Sequence, residues 1–447
     1  MKMLRTISLC FVLSFVFLQA ATVEGADSNR TNWAGNVVYS ADHLQEAASV
    51  QRIRTLVKSE TKVTALGTRH CFNTIADNAH TQLSVLQMHD VVSLDATART
   101  VTVAAGITYA QLSPYLHTHG FALHNLASLP DISIAGAIST ATHGSGVRNG
   151  NLATAVSALE LVTADGEVVK FSRGHGLNGV VVGLGAVGII TRITLDLQPT
   201  FTVKQFVYEN LPLAQFEDHF DVIMASGYSV SLFTDWQKKR FTTVWIKSRE
   251  GYGLPFAAPE EYFGATLATQ NLHPIPGLSA ENCTQQMGVP GPWHERLPHF
   301  RAGVTASVGK ELQSEFFIPR RHAVAAILAI ESNLRNEIGP HLFISEIRTI
   351  AGDANWMSTA YRRESVAIHF TWKQEWPAVQ LLLPLIEREL APFRPRPHWG
   401  KLFTMSPSEL QSRYKMVDEF RSLAAKHDPT GKFRNKFLNT NIFTSDV

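Results

Sequence analysis

Val63-Thr64-Ala65-Leu66-Gly67-Thr68-Arg69-His70-Cys71-Phe72-Asn73 is the stretch whose reading decides the fold. Its first four residues read as a short buried strand. Gly67 then turns the backbone and lets another group approach the main chain closely. The turn presents His70, whose neutral imidazole nitrogen is a good nucleophile, among small or apolar neighbours. Such a turn suits a flat, electrophilic cofactor edge. The competing reading is a histidine at a strand end, hydrogen-bonded to backbone.

Working outward, residues 40–58 read as a helix capped by Ser40, with Leu44, Ala47, Ile53, Leu56 and Val57 at helical spacing. Val85–Met88 and Arg99–Ala104 read as strands and Tyr109–His119 as a helix stopped by Gly120. Asp165-Gly166 between two β-branched runs is a hairpin signal. Gly188–Leu197 is a further strand. Residues 30 to about 198 thus form one α+β unit.

A second unit begins with strands at Gln205–Tyr208, Tyr228–Phe233 and Thr242–Ile246. Residues 254–300 hold seven prolines but also Phe263, Leu272, Trp293 and Phe300, so they read as an ordered loop and not a linker. A helix is expected from Pro319 to Leu334, strands around Ile344–Ile350 and Val366–Trp372, and a helix over Trp376–Leu390. That order implies an antiparallel sheet covered on one face by helices.

Two glycine-bearing runs bear on chemistry. Gly183-Leu-Gly185-Ala-Val-Gly188 fits GxGxxG, but it leads into β-branched Ile189-Ile190-Thr191 and not into a helix, which argues against a dinucleotide fingerprint. Ser128 to Gly146 contains four serines, two threonines and three glycines. Such runs expose consecutive N–H groups that can cradle a phosphate. An inter-strand loop of small polar residues fits equally well.

The net charge of +2 comes without a basic block, so nucleic acid is not an expected partner. Histidines and cysteines are scattered, and no metal is expected. Lys2 and Arg5 precede an apolar run from Ile7 to Leu18, then Ala20 and Ala21. This reads as a signal peptide over residues 1–26, hence a secreted protein with no membrane span after cleavage. Asn29 and Asn282 head glycosylation sequons. Cys71 is expected to be buried and unpaired.

The His70 run, the Ser128–Gly146 run and the Gly183–Ile190 turn, in that order and spacing, resemble the flavin domain of the vanillyl-alcohol-oxidase superfamily. Within it the chain is most similar to the alditol (xylitol) oxidases. The similarity extends from Asn32-Trp33-Ala34-Gly35-Asn36 to Asp428–Asn435. It takes in Ser229–Trp236, Gly288–Phe300, Glu346-Ile-Arg348, His369–Trp372 and Pro397–Lys401.

The resemblance implies an α+β architecture: an FAD-binding PCMH-type domain of two subdomains over 30–198, a substrate cap over 199–425, and a segment, 426–447, returning to the first domain. It implies FAD attached covalently through His70. Further contacts come from Ala65, Leu66, Gly67, Thr68, Arg69, Cys71, Ser128, Ile190 and His143. The pyrophosphate falls to Ser133, Gly136, Ala137, Ile138, Ser139 and Thr140. Relatives commonly carry small residues where this chain has Arg69 and Cys71, and some attach flavin twice, through a cysteine near 128–131. Here that segment has none, so a single linkage is expected.

For the substrate, the resemblance implies Lys401, His369 and Arg348 as catalytic groups. Ser128, Glu346, Arg348, Thr371 and Gln313 would bind a polyol. On spacing alone, Glu346 and Arg348 share a strand face and read as an ion pair, and His369 as a satisfied core histidine. The implied activity is oxidation of a terminal alditol hydroxyl by a monomeric enzyme, with O2 as acceptor giving H2O2. The alternatives are aldonolactone oxidation or dehydrogenation, and a non-catalytic carbohydrate-binding protein.

Overall fold

The computed structural model describes residues 30–304 and 308–443. The expected signal peptide and the Asn29 sequon lie outside them.

The first unit is built on two main sheets, with a two-stranded pairing of Phe121–Ala122 and Gln198–Pro199 beside them. A small parallel sheet orders His43–Glu46, Thr81–Ser84 and Val63–Leu66, with the helix Val50–Ser59 beside it. An antiparallel sheet orders Val91–Asp95, Thr100–Ala104, Ile189–Asp196, Val156–Val162 and Val168–Ser172. The 165–166 hairpin forms, with Gly166 at φ +81°. Val63–Leu66 is an outer strand of the parallel sheet, so its end delivers the His70 turn to the seam between this unit and the next.

The second unit is built on a ten-stranded antiparallel sheet. Its long strands run in the order Thr202–Pro212, Arg240–Arg249, Ser229–Thr234, Leu342–Ile350, Ser365–Lys373 and Glu311–Pro319. One face packs Val230, Leu232, Phe316, Ile347, Ile368 and Phe370 against the helices Leu213–Met224, Ala323–Ile338 and Trp376–Leu390. Alternation along each strand sends the intervening side chains to the opposite face. Register then aligns them: Glu315 opposite His369, His369 opposite Glu346, and Glu346 opposite Phe233. One row therefore carries a carboxylate, an imidazole and a second carboxylate.

Several expectations need correction. Residues 43–46 are a strand, and the helix starts at Val50 with Ser49 accepting from Arg52 N. Ser40 instead hydrogen-bonds Asp77. Leu44 misled because it lies on an exposed outer strand (40% exposed). The strand placed at Val85–Met88 is Thr81–Ser84, and Val85–Met88 is a turn. Polar composition concealed this central strand, whose Gln82 and Thr81 side chains bond Ala76 O and Glu60. Glu311–Pro319 was not expected as a strand, and Pro319 ends it; a 3-10 turn precedes the helix that begins at Ala323.

Residues 254–300 are ordered. Trp293 is fully buried, and His299 N and Phe300 N both donate to Ser128 O at 3.1 Å, tying the cap to the first unit. Trp399, Met405, Leu410, Phe420 and Leu438 share one buried cluster with first-unit residues such as Val101, Leu159 and Val187 and with Tyr228 and Trp293 of the cap. Among the described residues, no helix is long and apolar enough to cross a membrane.

Candidate active site

The His70 turn is held from both sides. Trp33 N donates to Arg69 O at 2.8 Å, Asn32 Nδ2 to Cys71 O at 2.9 Å, and Phe72 N to Gly400 O at 2.7 Å. Asn73 Nδ2 reaches Trp399 O and Lys401 O at 2.8 and 2.7 Å. A Cβ on Gly67 would lie 2.4 Å from Ser133 Oγ, so the turn and the second run approach closely here and a side chain at 67 would displace the Ser133 hydroxyl. Thr68 Oγ1 accepts from Ser133 N at 3.2 Å and contacts His70 Nδ1 at 3.2 Å. Trp33 stacks on the imidazole with centroids 5.2 Å apart. His70 Nε2 is buried without a hydrogen-bond partner. Burial lowers the ring's pKa to about 4, so it is neutral at neutral pH.

One cavity runs from this turn to the cap sheet. Its floor is lined by Ala65, Leu66, Gly67, Thr68, Arg69, His70 and Cys71. Ser128, Ser133, Gly136, Ala137, Ser139, Thr140, His143 and Ile190 continue it. Ile138 is the exception among the expected cofactor contacts: its side chain is fully buried in the first unit's core. Residues 134–139 form a short helix, and the Ser133 hydroxyl at its start is not spent on capping. The Gly183–Gly188 turn leads into the strand Ile189–Asp196, and its Leu184 N bonds Ser139 O, bracing the floor. Among the described residues, Cys71 and Cys283 are unpaired, and Cys71, expected to be buried, is only partly so because it lines the cavity.

The cap wall brings together Gln313, Glu346, Arg348, His369, Thr371 and Lys401. Lys401 Nζ lies 2.7 Å from His369 Nδ1 and 2.8 Å from Glu315 Oε2. An ammonium only donates, so His369 Nδ1 accepts and Nε2 carries the proton, donating to Thr371 Oγ1 at 3.0 Å. Across the wall, Glu346 binds Arg348 at 3.1 Å and His299 Nε2 at 2.8 Å, and Arg348 reaches Ser128 Oγ at 3.2 Å.

Burial would raise the Glu315 carboxyl, but Lys401 and His143 outweigh it and hold it well below the usual range. Glu346 is likewise lowered, because Arg348 and His299 overcome its burial. Burial lowers Lys401, with Glu315 opposing. Burial lowers His369 to about 4, and the Lys401 charge adds to it.

Reading the sequence missed Glu315, His299, Lys247 and Glu311. Glu311, Gln313 and Glu315 alternate along one strand, and Gln313 Nε2 donates to Glu311 Oε1 at 2.5 Å. That alternation of polar residues in an apolar run was the available signal.

The neutral histidines make stability pH-dependent. His299 and His369 titrate at about 4 in the folded protein and near 6.5 unfolded. Between those values the unfolded chain binds more protons. Their contribution to stability is therefore complete above about pH 6.5 and is lost as pH falls from there through about 4. Calorimetry should show the melting temperature falling between about pH 7 and about pH 5; a level profile would contradict the assignment of neutral, buried rings.

A model of the FAD binding domain family matches residues 38–172, and one of D-arabinono-1,4-lactone oxidase matches residues 307–441. The chain is 47% identical over 414 residues to an alditol oxidase of Streptomyces sp., covering 91% of this chain and 97% of that protein. It is 27% identical over 420 residues to the L-gulono-1,4-lactone dehydrogenase of Mycobacterium tuberculosis, covering 91% and 97%. Among solved structures, a cholesterol oxidase from B. sterolicum superposes with a TM-score of 0.73 at 14% identity, over 93% of this chain and 96% of that one. A xylooligosaccharide oxidase from Myceliophthora thermophila gives 0.71 at 11% identity, over 96% and 97%. These two share the fold.

Proposed function

The chain belongs to the alditol oxidase family of FAD-dependent oxidoreductases, and on that premise we propose how its residues oxidise the terminal hydroxyl of an alditol such as xylitol or sorbitol. The observation that carries the reading is the Lys401–His369–Glu315 cluster facing the His70 floor across one cavity.

The residues present fit FAD. The floor offers a partnerless buried nitrogen at His70 and, against the Gly67 turn, a Ser133 hydroxyl that caps no helix. His70 would carry a single covalent bond to the flavin, and the Ser133–Thr140 run would hold the pyrophosphate. Bound there, FAD would supply the acceptor for the hydride that the substrate carbon loses.

The protein must orient the polyol and move one proton. Arg348 donates to one hydroxyl and Glu346 accepts from its neighbour, a pairing suited to vicinal diols. Ser128, Thr371 and Gln313 add neutral hydrogen bonds. The reacting hydroxyl enters between Lys401 and His369. Lys401 donates to its oxygen and stabilises developing negative charge in a site screened from water. His369 Nδ1, freed from Lys401, takes the proton, and Glu315 at 3.8 Å stabilises the imidazolium. Thr371 holds Nε2 throughout.

Secretion belongs to the same proposal. It rests on the charged and apolar pattern of residues 1–26. A covalent tether suits a place where lost FAD is not readily replaced.

A substrate panel tests the activity. Purified protein should release H2O2 with xylitol and sorbitol. Turnover of L-gulono-1,4-lactone alone would replace this reading with lactone oxidation, which the 307–441 family match keeps in view.

A further inference from the structure

Lys247 lies behind the substrate wall, fully buried on the strand Arg240–Arg249. Its Nζ has three acceptors: Leu297 O, Pro298 O at 3.2 Å and His299 Nδ1 at 3.1 Å. His299 continues to Glu346, which is paired with Arg348. We propose that Lys247 is a positioning residue for substrate binding: through His299 it holds Glu346 as an acceptor aimed at the polyol. The proposal rests on the assignment of Glu346 and Arg348 to polyol binding.

The argument is one of hydrogen-bond inventory. An ammonium has three N–H groups and no acceptor. The three acceptors around Lys247 satisfy all of them, so His299 Nδ1 must accept. The ring proton then sits on Nε2 and points at the Glu346 carboxylate at 2.8 Å. A neutral amine has two N–H groups and a lone pair. The two carbonyls can only accept, so the lone pair can be satisfied only by a proton on His299 Nδ1. That tautomer strips Nε2 of its proton and sets a lone pair against the carboxylate. Loss of one proton at Lys247 therefore turns the support of Glu346 from attraction to repulsion.

The surroundings favour that loss near neutrality. Burial lowers Lys247 to about 7, with Glu346 raising it, Arg348 lowering it and Cys283 raising it slightly. Its neighbours across the sheet, Gln205 and Ser229, carry no charge. His299 is itself lowered to about 4, first by burial and then by Lys247, so it stays neutral throughout. The same donor logic holds Lys401, His369 and Thr371 on the opposite side of the wall, where the lysine faces the substrate.

The test is steady-state kinetics of the holoenzyme with xylitol across pH, for wild type, Lys247→Met and His299→Gln. Wild-type KM should rise above about pH 7, where Lys247 loses its proton. Lys247→Met should raise KM about tenfold at low pH, remove its pH dependence and leave kcat within about twofold. His299→Gln keeps a donor toward Glu346 and an acceptor toward Lys247 but has no tautomers. It should retain near-wild-type KM and lose the alkaline rise. A Lys247→Met enzyme with wild-type KM and pH profile would overturn the proposal. So would a His299→Gln enzyme whose KM still climbs through about pH 7, which decides the matter if Lys247→Met yields no holoenzyme. Wild type that does not turn over xylitol fails the alditol assignment instead.

Discussion

His70→Ala protein should show no flavin fluorescence on a denaturing gel, where the wild type should give a fluorescent band. The expectation follows from the state of the imidazole. It is neutral because burial lowers its pKa to about 4, and its Nε2 has no competing partner. Trp33 and Thr68 fix the ring; Trp33 N and Asn32 Nδ2 donate to Arg69 O and Cys71 O of the turn, and Phe72 N and Asn73 Nδ2 donate from the turn to the carbonyls of residues 399–401. The proposed nucleophile is thus pre-placed, and its removal should leave FAD held by non-covalent contacts alone. Cys71 is the other nucleophile in the turn. Burial pushes its thiol up to about 12, which leaves almost no thiolate. Its Sγ also packs against Gly400, where a Cβ would come within 3.1 Å. A fluorescent band surviving in His70→Ala would move the tether to Cys71.

Lys401→Met should lower kcat for xylitol about 10³-fold, the scale of losing a placed proton-handling group and a charge aimed at the reacting oxygen. Stability should fall as well. Glu315 is fully buried, and Lys401 is the strongest of the groups that hold it ionised. Breaking a buried pair costs about 3–5 kcal/mol, because one charge is left without its partner. The double variant Lys401→Met, Glu315→Gln separates the two effects. It should recover most of the melting temperature and little of kcat. Recovery of both would reduce Lys401 to a structural counter-ion.

Where local pattern determines local structure, the sequence was readable. The Gly67–His70 turn, the Asp165-Gly166 hairpin and the Trp376–Leu390 helix each follow from a few adjacent residues. The glycine run at 183–188 was recognisable as no dinucleotide fingerprint because β-branched residues follow it. Thr81–Ser84 escaped because a central strand can be polar when its side chains find partners, as Gln82 and Thr81 do. Nor does any local pattern in the sequence announce the row Glu315–His369–Glu346. It exists only because three strands pair in one register. Lys247 and His299 are farther still from local reading, since a loop folded back from the cap carries the imidazole to the lysine. Resemblance supplied Lys401, His369 and Arg348; sheet register explains why His369 and Arg348 are neighbours, and the short strand Arg396–Pro397, paired with Phe316–Phe317, leads the chain to Lys401 beside them.

The most direct measurement is anaerobic titration of the purified protein with xylitol, followed by its visible flavin absorbance. The account predicts a yellow protein whose absorbance bleaches on adding xylitol, returns on admitting air, and yields H2O2 as it does so. A colourless protein, or one bleached by L-gulono-1,4-lactone and unaffected by xylitol, would contradict it.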